Sequence, residues 1–210
     1  MNWRWKIAQN AEIRWWQRYL KKQPVASYWR WKNDYWRKFL EKNDIRFSGK
    51  EKILDAGCGP AGIFMVLTDH QVDAVDPLLP AYEKSIAHFN KENYPHTKFF
   101  PVAFEAYHSG EKYDTIFCLN ALNHFSDITS SVDKLLEMLR KGGSMYVSID
   151  AHNYYAFKKI FQWFPGDILH PHQYDLDDYK KMFTSRGGKI TAVRLIKKEF
   201  LFDYYLLEVR

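Results

Sequence analysis

Cysteine is scarce: the 210 residues hold only two, Cys58 beside a glycine turn and Cys118 inside an apolar run. That pair offers neither a disulfide framework nor a metal-ligand spacing, and it fits a reducing compartment. No apolar run reaches the roughly 18 residues that cross a bilayer, and the opening MNWRWKIAQN carries charge where a signal peptide has its apolar centre. A cytoplasmic protein is therefore expected. Internal repeats and low-complexity segments are also lacking. What is present is a chain of 46% hydrophobic residues, enough to bury the core of one domain with some decoration.

Charge is unevenly spread along that chain. The formal net charge is +6, yet residues 1–50 hold 13 Lys and Arg against 4 Asp and Glu, so the remainder is mildly acidic. The same segment carries seven of the eight tryptophans, Trp163 alone lying outside it. A basic, aromatic segment beside a mildly acidic domain suits a membrane, a nucleic acid or an acidic ligand as its partner.

Trp3, Ile7, Ala11, Trp15 and Tyr19 recur every four residues, the pattern of an amphipathic helix over 3–20 that Pro24 terminates. A second helix, from Ser27 to about Lys42, sets Tyr28, Trp31, Tyr35 and Phe39 on one stripe, and both helices are expected to keep Lys and Arg on the other face. After Ser48-Gly49 short apolar runs alternate with helical ones. Strands are predicted at 52–56, 72–75, 98–102, 113–120 and 144–149, and helices at 61–69, 80–92, 129–140 and about 175–185. Such alternation predicts a mostly parallel sheet with helices on both faces. The final runs ITAVRLI and FLFDYYLLEV lie too close together for a parallel crossover, so the last strand should be antiparallel. The expected α/β architecture is a Rossmann-like, seven-stranded domain over 49–210, preceded by a tryptophan-rich helical segment over 1–48.

In ILDAGCGPAGIF the glycines fall where the first strand should turn into a helix. In an open parallel sheet the ligand lies beyond the carboxyl ends of the strands. Gly57, Cys58, Gly59, Pro60, Ala61 and Gly62 would thus form a loop against which a ligand rests. The second strand ends at Asp76, an acid placed to accept hydrogen bonds from both hydroxyls of a ribose. The spacing Gly57-x-Gly59-x-x-Gly62 also fits a dinucleotide fingerprint, which leaves a nicotinamide-dependent oxidoreductase as an alternative. Asp55 counts against it, since its charge would repel a pyrophosphate but pair with an α-ammonium group. A dehydrogenase also usually needs a separate substrate domain.

LDAGCGPAG, the acid in VDAVDP, the run YDTIFCLNALNHF and the segment LLRKGGSMYVSID resemble, in order and spacing, the motifs of class I S-adenosylmethionine-dependent methyltransferases, above all the group acting on small molecules. The resemblance spans about residues 50–210 and implies S-adenosyl-L-methionine as cofactor. It implies that Asp55 and Gly57 hold the methionine end, Asp76 the ribose, Pro77 and Leu78 the adenine edge, and Leu119 and Asn120 the floor below the sulfonium. One departure stands out: where such enzymes often carry an acid for the adenine amino group, this chain has Ala103. The Phe104 backbone N–H and Glu105 are the substitutes at hand. A Rossmann-like nucleoside-binding module without catalysis is a further alternative.

Methyl transfer from a sulfonium is an in-line displacement, and a hydroxyl acceptor must lose its proton. His124, next to the expected sulfonium site, is the first candidate base. His170 and His172 are further catalytic candidates that could also shape the acceptor pocket, for which Asn123, Asp150 and His152 are candidates. Their spacing matches no metal motif, so no metal is expected. No NPPY-like run comes after the fourth strand, which argues against amino-group methylation in nucleic acids. In enzymes of the class this chain resembles, the segment before the first strand often folds over the cofactor, which implies that the N-terminal helices form a lid, Arg14 meeting the cofactor carboxylate and Trp15 and Trp16 the acceptor's apolar body. The predicted reaction is methylation of an oxygen or nitrogen of a small, largely apolar molecule. Nucleic acid is not expected as a partner. A membrane-docking enzyme with a lipid or quinone-like acceptor is the neighbouring alternative, and oligomeric state is not legible.

Overall fold

In the computed structural model, residues 3–152, 174–200 and 202–210 are described. The N-terminal helices are α1, Trp3–Leu20, and α2, Val25–Lys42. Pro24 stands at the N-cap of α2 in extended conformation, where its missing N–H costs nothing. Seven strands come next: β1 Lys52–Ala56, β2 Gln71–Val75, β3 Thr97–Phe100, β4 Tyr113–Leu119, β5 Leu139–His152, β6 Ile190–Lys198 and β7 Phe202–Val209. They form one sheet in the order β3-β2-β1-β4-β5-β7-β6. Neighbours from β3 to β5 run parallel, and β7 runs antiparallel to both β5 and β6, the hairpin expected from the short final gap.

Alternation along the strands sends residues to opposite faces. Ile53 and Phe117 join a core with Tyr28, Trp36, Phe39, Phe64 and Tyr82, so α2 shares its core with the sheet. Leu54 and Ile116 join the other core, with Val132 and Leu135 of α4 (Ile128–Met138) and Phe183 of α5 (Leu176–Thr184). Asp127 caps α4 by accepting from Thr129 and Ser130 N–H, and Asp175 caps α5 in a reciprocal capping box with Asp178.

Two expected helices are shorter than their periodicity suggests. In place of a helix over 61–69 there are two 3₁₀ turns, Gly59–Ala61 and Ile63–Val66, split by Gly62 in extended conformation. Tertiary partners take the backbone groups that a helix would have paired internally. The Phe64 N–H donates to Asp55 Oδ2 at 3.2 Å, and the Ala61 carbonyl accepts from Trp36 Nε1 at 3.0 Å. The helix expected over 80–92 is α3, Leu79–Ser85, followed by a 3₁₀ turn at Lys91–Asn93 that Asn90 caps. β5 runs beyond the expected 144–149 at both ends.

Candidate active site

Strand order reverses between β1 and β4, both paired to their neighbours in parallel, and a cavity of about 670 Å³ opens there, at the strands' carboxyl ends. The glycine loop forms part of its wall, and each glycine has its own reason. Gly57 has φ +73°, and a Cβ there would stand 2.3 Å from the Ala121 side chain. Gly62 leaves room for the Asp55 carboxylate, which an added Cβ would approach to 2.5 Å. Gly59 has φ +58° and nothing within 4 Å of an added Cβ. Packing explains the first two; the third faces open space, where a ligand can approach bare backbone.

Two buried carboxylates flank that loop. Asp76 accepts from the Gly59 N–H at 3.0 Å through Oδ2 and from the Leu78 N–H at 2.8 Å through Oδ1. Burial raises its pKa above the ordinary carboxylate range, helped by Glu12, which α1 brings into the same cavity. Asp55, at the end of β1, is pushed up to about 7 by burial, against the pull of the Phe64 and Ile63 N–H groups and Lys32. The Cys58 thiol, also raised by burial and by both carboxylates, is no nucleophile.

β4 ends at Leu119, and Asn120 comes next at φ 52°. That strained turn is held by Ser148 of β5: the Asn120 N–H donates to Ser148 Oγ at 2.8 Å, and Ser148 Oγ donates to Asn120 Oδ1 at 3.2 Å. Asn123 Nδ2 donates to Asp150 Oδ1 at 2.8 Å, and both line the cavity with His124. Glu105 reaches the cavity too, although its Oε1 already accepts from the Ser126 and Asp127 N–H groups and the Ser126 hydroxyl. Phe104 stacks on Phe125 with centroids 5.1 Å apart.

The same cavity is walled by the N-terminal helices. Trp15, Trp16 and Tyr19 of α1 and Tyr28, Trp31, Tyr35 and Trp36 of α2 line it. Lys32 stands among them, its Nζ 4.6 Å from the Trp36 ring centroid and 4.7 Å from that of Tyr35, a cation–π setting. Burial lowers its pKa to about 8, and the Asp55 charge opposes the fall.

The cavity thus gathers Asp55, Gly57, Cys58, Gly59, Gly62, Asp76, Pro77, Leu78, Phe104, Glu105, Leu119, Asn120, Asn123, His124, Asp150, Trp15 and Trp16. Arg14 is exposed and is not among the lining residues. Among the described residues, the cation that α1 and α2 bring to the cavity is Lys32, which corrects the expectation that their lysines all face away. Its position gave a signal, since Lys32 lies four residues after Tyr28 and four before Trp36, on the apolar stripe. Glu12 and Gln9 also line the cavity and were not foreseen. His170 and His172 fall outside the described residues, and of His152 only the backbone, at the end of β5, is described. Among the described residues no group of three or more His, Cys, Asp or Glu is set to hold a metal ion.

The model of a family described as "Methyltransferase domain" matches residues 28–193. The chain belongs to this methyltransferase family. Its sheet order is that of a class I, S-adenosylmethionine-type methyltransferase domain, which sets aside the nicotinamide alternative. The methyltransferase is 32% identical over 120 residues to a ubiquinone biosynthesis O-methyltransferase of Marinobacter nauticus. That match covers 54% of the chain and 49% of the relative, so the chain spans about half the length of this curated protein. In fold it is similar to a methyltransferase structure from Bacillus halodurans, with TM-score 0.66, 14% identity and coverage of 83% of this chain and 97% of that one. It is likewise similar to the N-methyltransferase NodS from Bradyrhizobium japonicum in complex with S-adenosyl-L-homocysteine, with TM-score 0.60, 15% identity and coverage of 91% and 89%. Among the described residues of the methyltransferase, no helix is long and apolar enough to cross a membrane.

Proposed function

We propose that the protein transfers a methyl group from S-adenosyl-L-methionine to an oxygen, or failing that a nitrogen, of a small, largely apolar molecule. The observation that carries this reading is one cavity with two chemically different ends: buried carboxylates and bare glycine backbone at the sheet, and an aromatic wall on α1 and α2. The residues at the sheet end suit the cofactor. Each Asp76 oxygen accepts one backbone N–H and keeps a lone pair for a ribose hydroxyl. Asp55 suits the ammonium of the methionine end, and Gly59 leaves its backbone open beside the ribose. Lys32, one helical turn from Trp36, suits the cofactor's carboxylate in the role first expected of Arg14. Pro77, Leu78 and Phe104 offer apolar surface to the adenine, and Leu119 and Asn120 the floor beneath the sulfur.

When bound, the cofactor supplies a methyl group on a sulfonium, and the chain's task is alignment and proton removal. His124 takes the acceptor's hydroxyl proton, and the Asn123–Asp150 pair orients the acceptor beside it. Residues 1–48 act as a lid over the domain formed by 49–210, and their indole and phenol rings hold the acceptor's apolar body. Oxygen is preferred because an imidazole suits a hydroxyl proton, and the name of the curated relative favours the same choice.

Calorimetric titration with S-adenosylmethionine, S-adenosylhomocysteine and NAD tests the cofactor. Binding of the first two is expected, with none for NAD and none to Asp76→Ala. His124→Ala should then slow methylation of phenolic and catecholic acceptors by about a hundredfold or more, with S-adenosylhomocysteine affinity unchanged. Equal turnover by parent and variant on every hydroxyl acceptor removes His124 as the base.

A further inference from the structure

The aromatic wall of the cavity is not wholly enclosed. Trp15 is 48% exposed, Tyr19 38%, Trp31 50% and Tyr35 41%, although all four line the cavity. They therefore form its rim. They form two exposed pairs joined through the buried Tyr28: Trp15 stacks on Tyr19 at 5.1 Å, Tyr19 meets Tyr28 at 6.3 Å, Tyr28 meets Trp31 at 5.7 Å and Trp31 meets Tyr35 at 6.0 Å. Large exposed apolar patches on soluble chains mark a partner surface.

The charges around the patch identify the partner's sign. Helical spacing carries the Trp31–Tyr35 stripe on to Lys38 and Lys42 and puts Arg18 one turn beyond Trp15, and Lys22 lies in the turn that follows α1. All four cations are exposed, and among the described residues none has an ion-pair partner. Indole and phenol rings edged by unpaired Lys and Arg match the interface of an anionic bilayer, where the rings sit at headgroup depth and the cations meet lipid phosphates.

We propose that the α1–α2 face docks on an anionic lipid surface, with the cavity mouth turned toward the bilayer. The acceptor then enters from the lipid phase; this second part rests on the small apolar acceptor proposed above, whereas the docking itself does not.

Sedimentation with vesicles of phosphatidylcholine and phosphatidylglycerol, and with phosphatidylcholine alone, tests the docking on the full chain. Binding to the anionic vesicles only, weakening with added salt, is the expected result. Lipids brominated on the acyl chain should quench the tryptophan emission, since seven of the eight indoles lie in residues 1–50. Reversing Arg18, Lys22, Lys38 and Lys42 to Glu should weaken vesicle binding by about a hundredfold or more. The reversed variant should still bind S-adenosylhomocysteine as the parent does, which separates loss of docking from loss of fold. The proposal is overturned by no sedimentation of a parent that binds S-adenosylhomocysteine, by equal binding to neutral vesicles, or by vesicle binding that survives the reversal. Preference for an RNA oligonucleotide over the vesicles also overturns it. A parent that docks but binds no S-adenosylhomocysteine leaves the docking standing and removes the methyltransfer reading.

Discussion

Burial sets the charge of Asp55 before any ligand arrives. Its carboxyl is pushed up to about 7 by desolvation, so near neutral pH it is only partly ionised in the free protein, and an ammonium group must draw it into the charged form. The Asp55 share of S-adenosylhomocysteine affinity should therefore fall about tenfold between roughly pH 8 and pH 6, and Asp55→Asn should flatten the profile, leaving the part due to Asp76 and Lys32, and remove most of the affinity. Stability has the opposite sign. The folded pKa lies above the unfolded one, so this group's contribution is full at low pH and is lost as pH rises through about 7. Asp55→Asn should match the parent's Tm near pH 4 and exceed it by a few degrees above pH 7 in the absence of ligand. A parent whose Tm difference from the variant does not change over that range would mean that the carboxyl is not desolvated.

At the scale of elements, α2 is the piece through which the helical cap reaches the ligand loop. Its Trp36 indole donates to the Ala61 carbonyl and its Trp29 indole to the His88 carbonyl at 2.7 Å. Trp36→Phe keeps the ring but strands a buried carbonyl, which costs roughly 1–3 kcal/mol and several degrees of Tm. Because the loop so released carries Gly59, S-adenosylhomocysteine affinity should fall as well; a loss of Tm with unchanged affinity would show that the loop holds its shape without the indole. These contacts also explain which parts of the fold were legible beforehand. The strands, the final hairpin, α1 and α2 arise from periodicity, which each segment carries within itself. The absent helix after β1 does not, because IFMVLTD has helical composition and yields to partners remote in sequence, Asp55 and Trp36. Asp55, Gly59 and Asp76 were legible because a strand end and a turn impose their positions. Lys32 and Glu12 were not singled out, since a charge on an apolar stripe acquires meaning only once the stripe is known to face a cavity.

Over the whole molecule, stability and function divide along the same boundary. The central strands β1 and β4 are buried on both faces, the first packing Ile53 one way and Leu54 the other. α2 contributes Tyr28, Trp36 and Phe39 to the core, whereas Leu20 is the one described residue of α1 that is buried. Tyr82 ties α1 to α3 by donating to Glu12 Oε1 at 2.8 Å, at the wall of the cavity. Few buried apolar side chains among the described residues of α1 imply a low local cost of opening, so α1 is the element expected to admit a ligand while the sheet stays intact. Hydrogen exchange of the free protein should therefore proceed fastest in α1, more slowly in α2 and slowest in β1 and β4. S-adenosylhomocysteine should slow exchange most in α1, because a ligand held as proposed above would add contacts to Glu12, Trp15 and Trp16 at the cavity wall. If α1 in the free protein is already protected like β4, the cap does not open locally, and the ligand has to enter between the exposed rings at the rim without any helix moving.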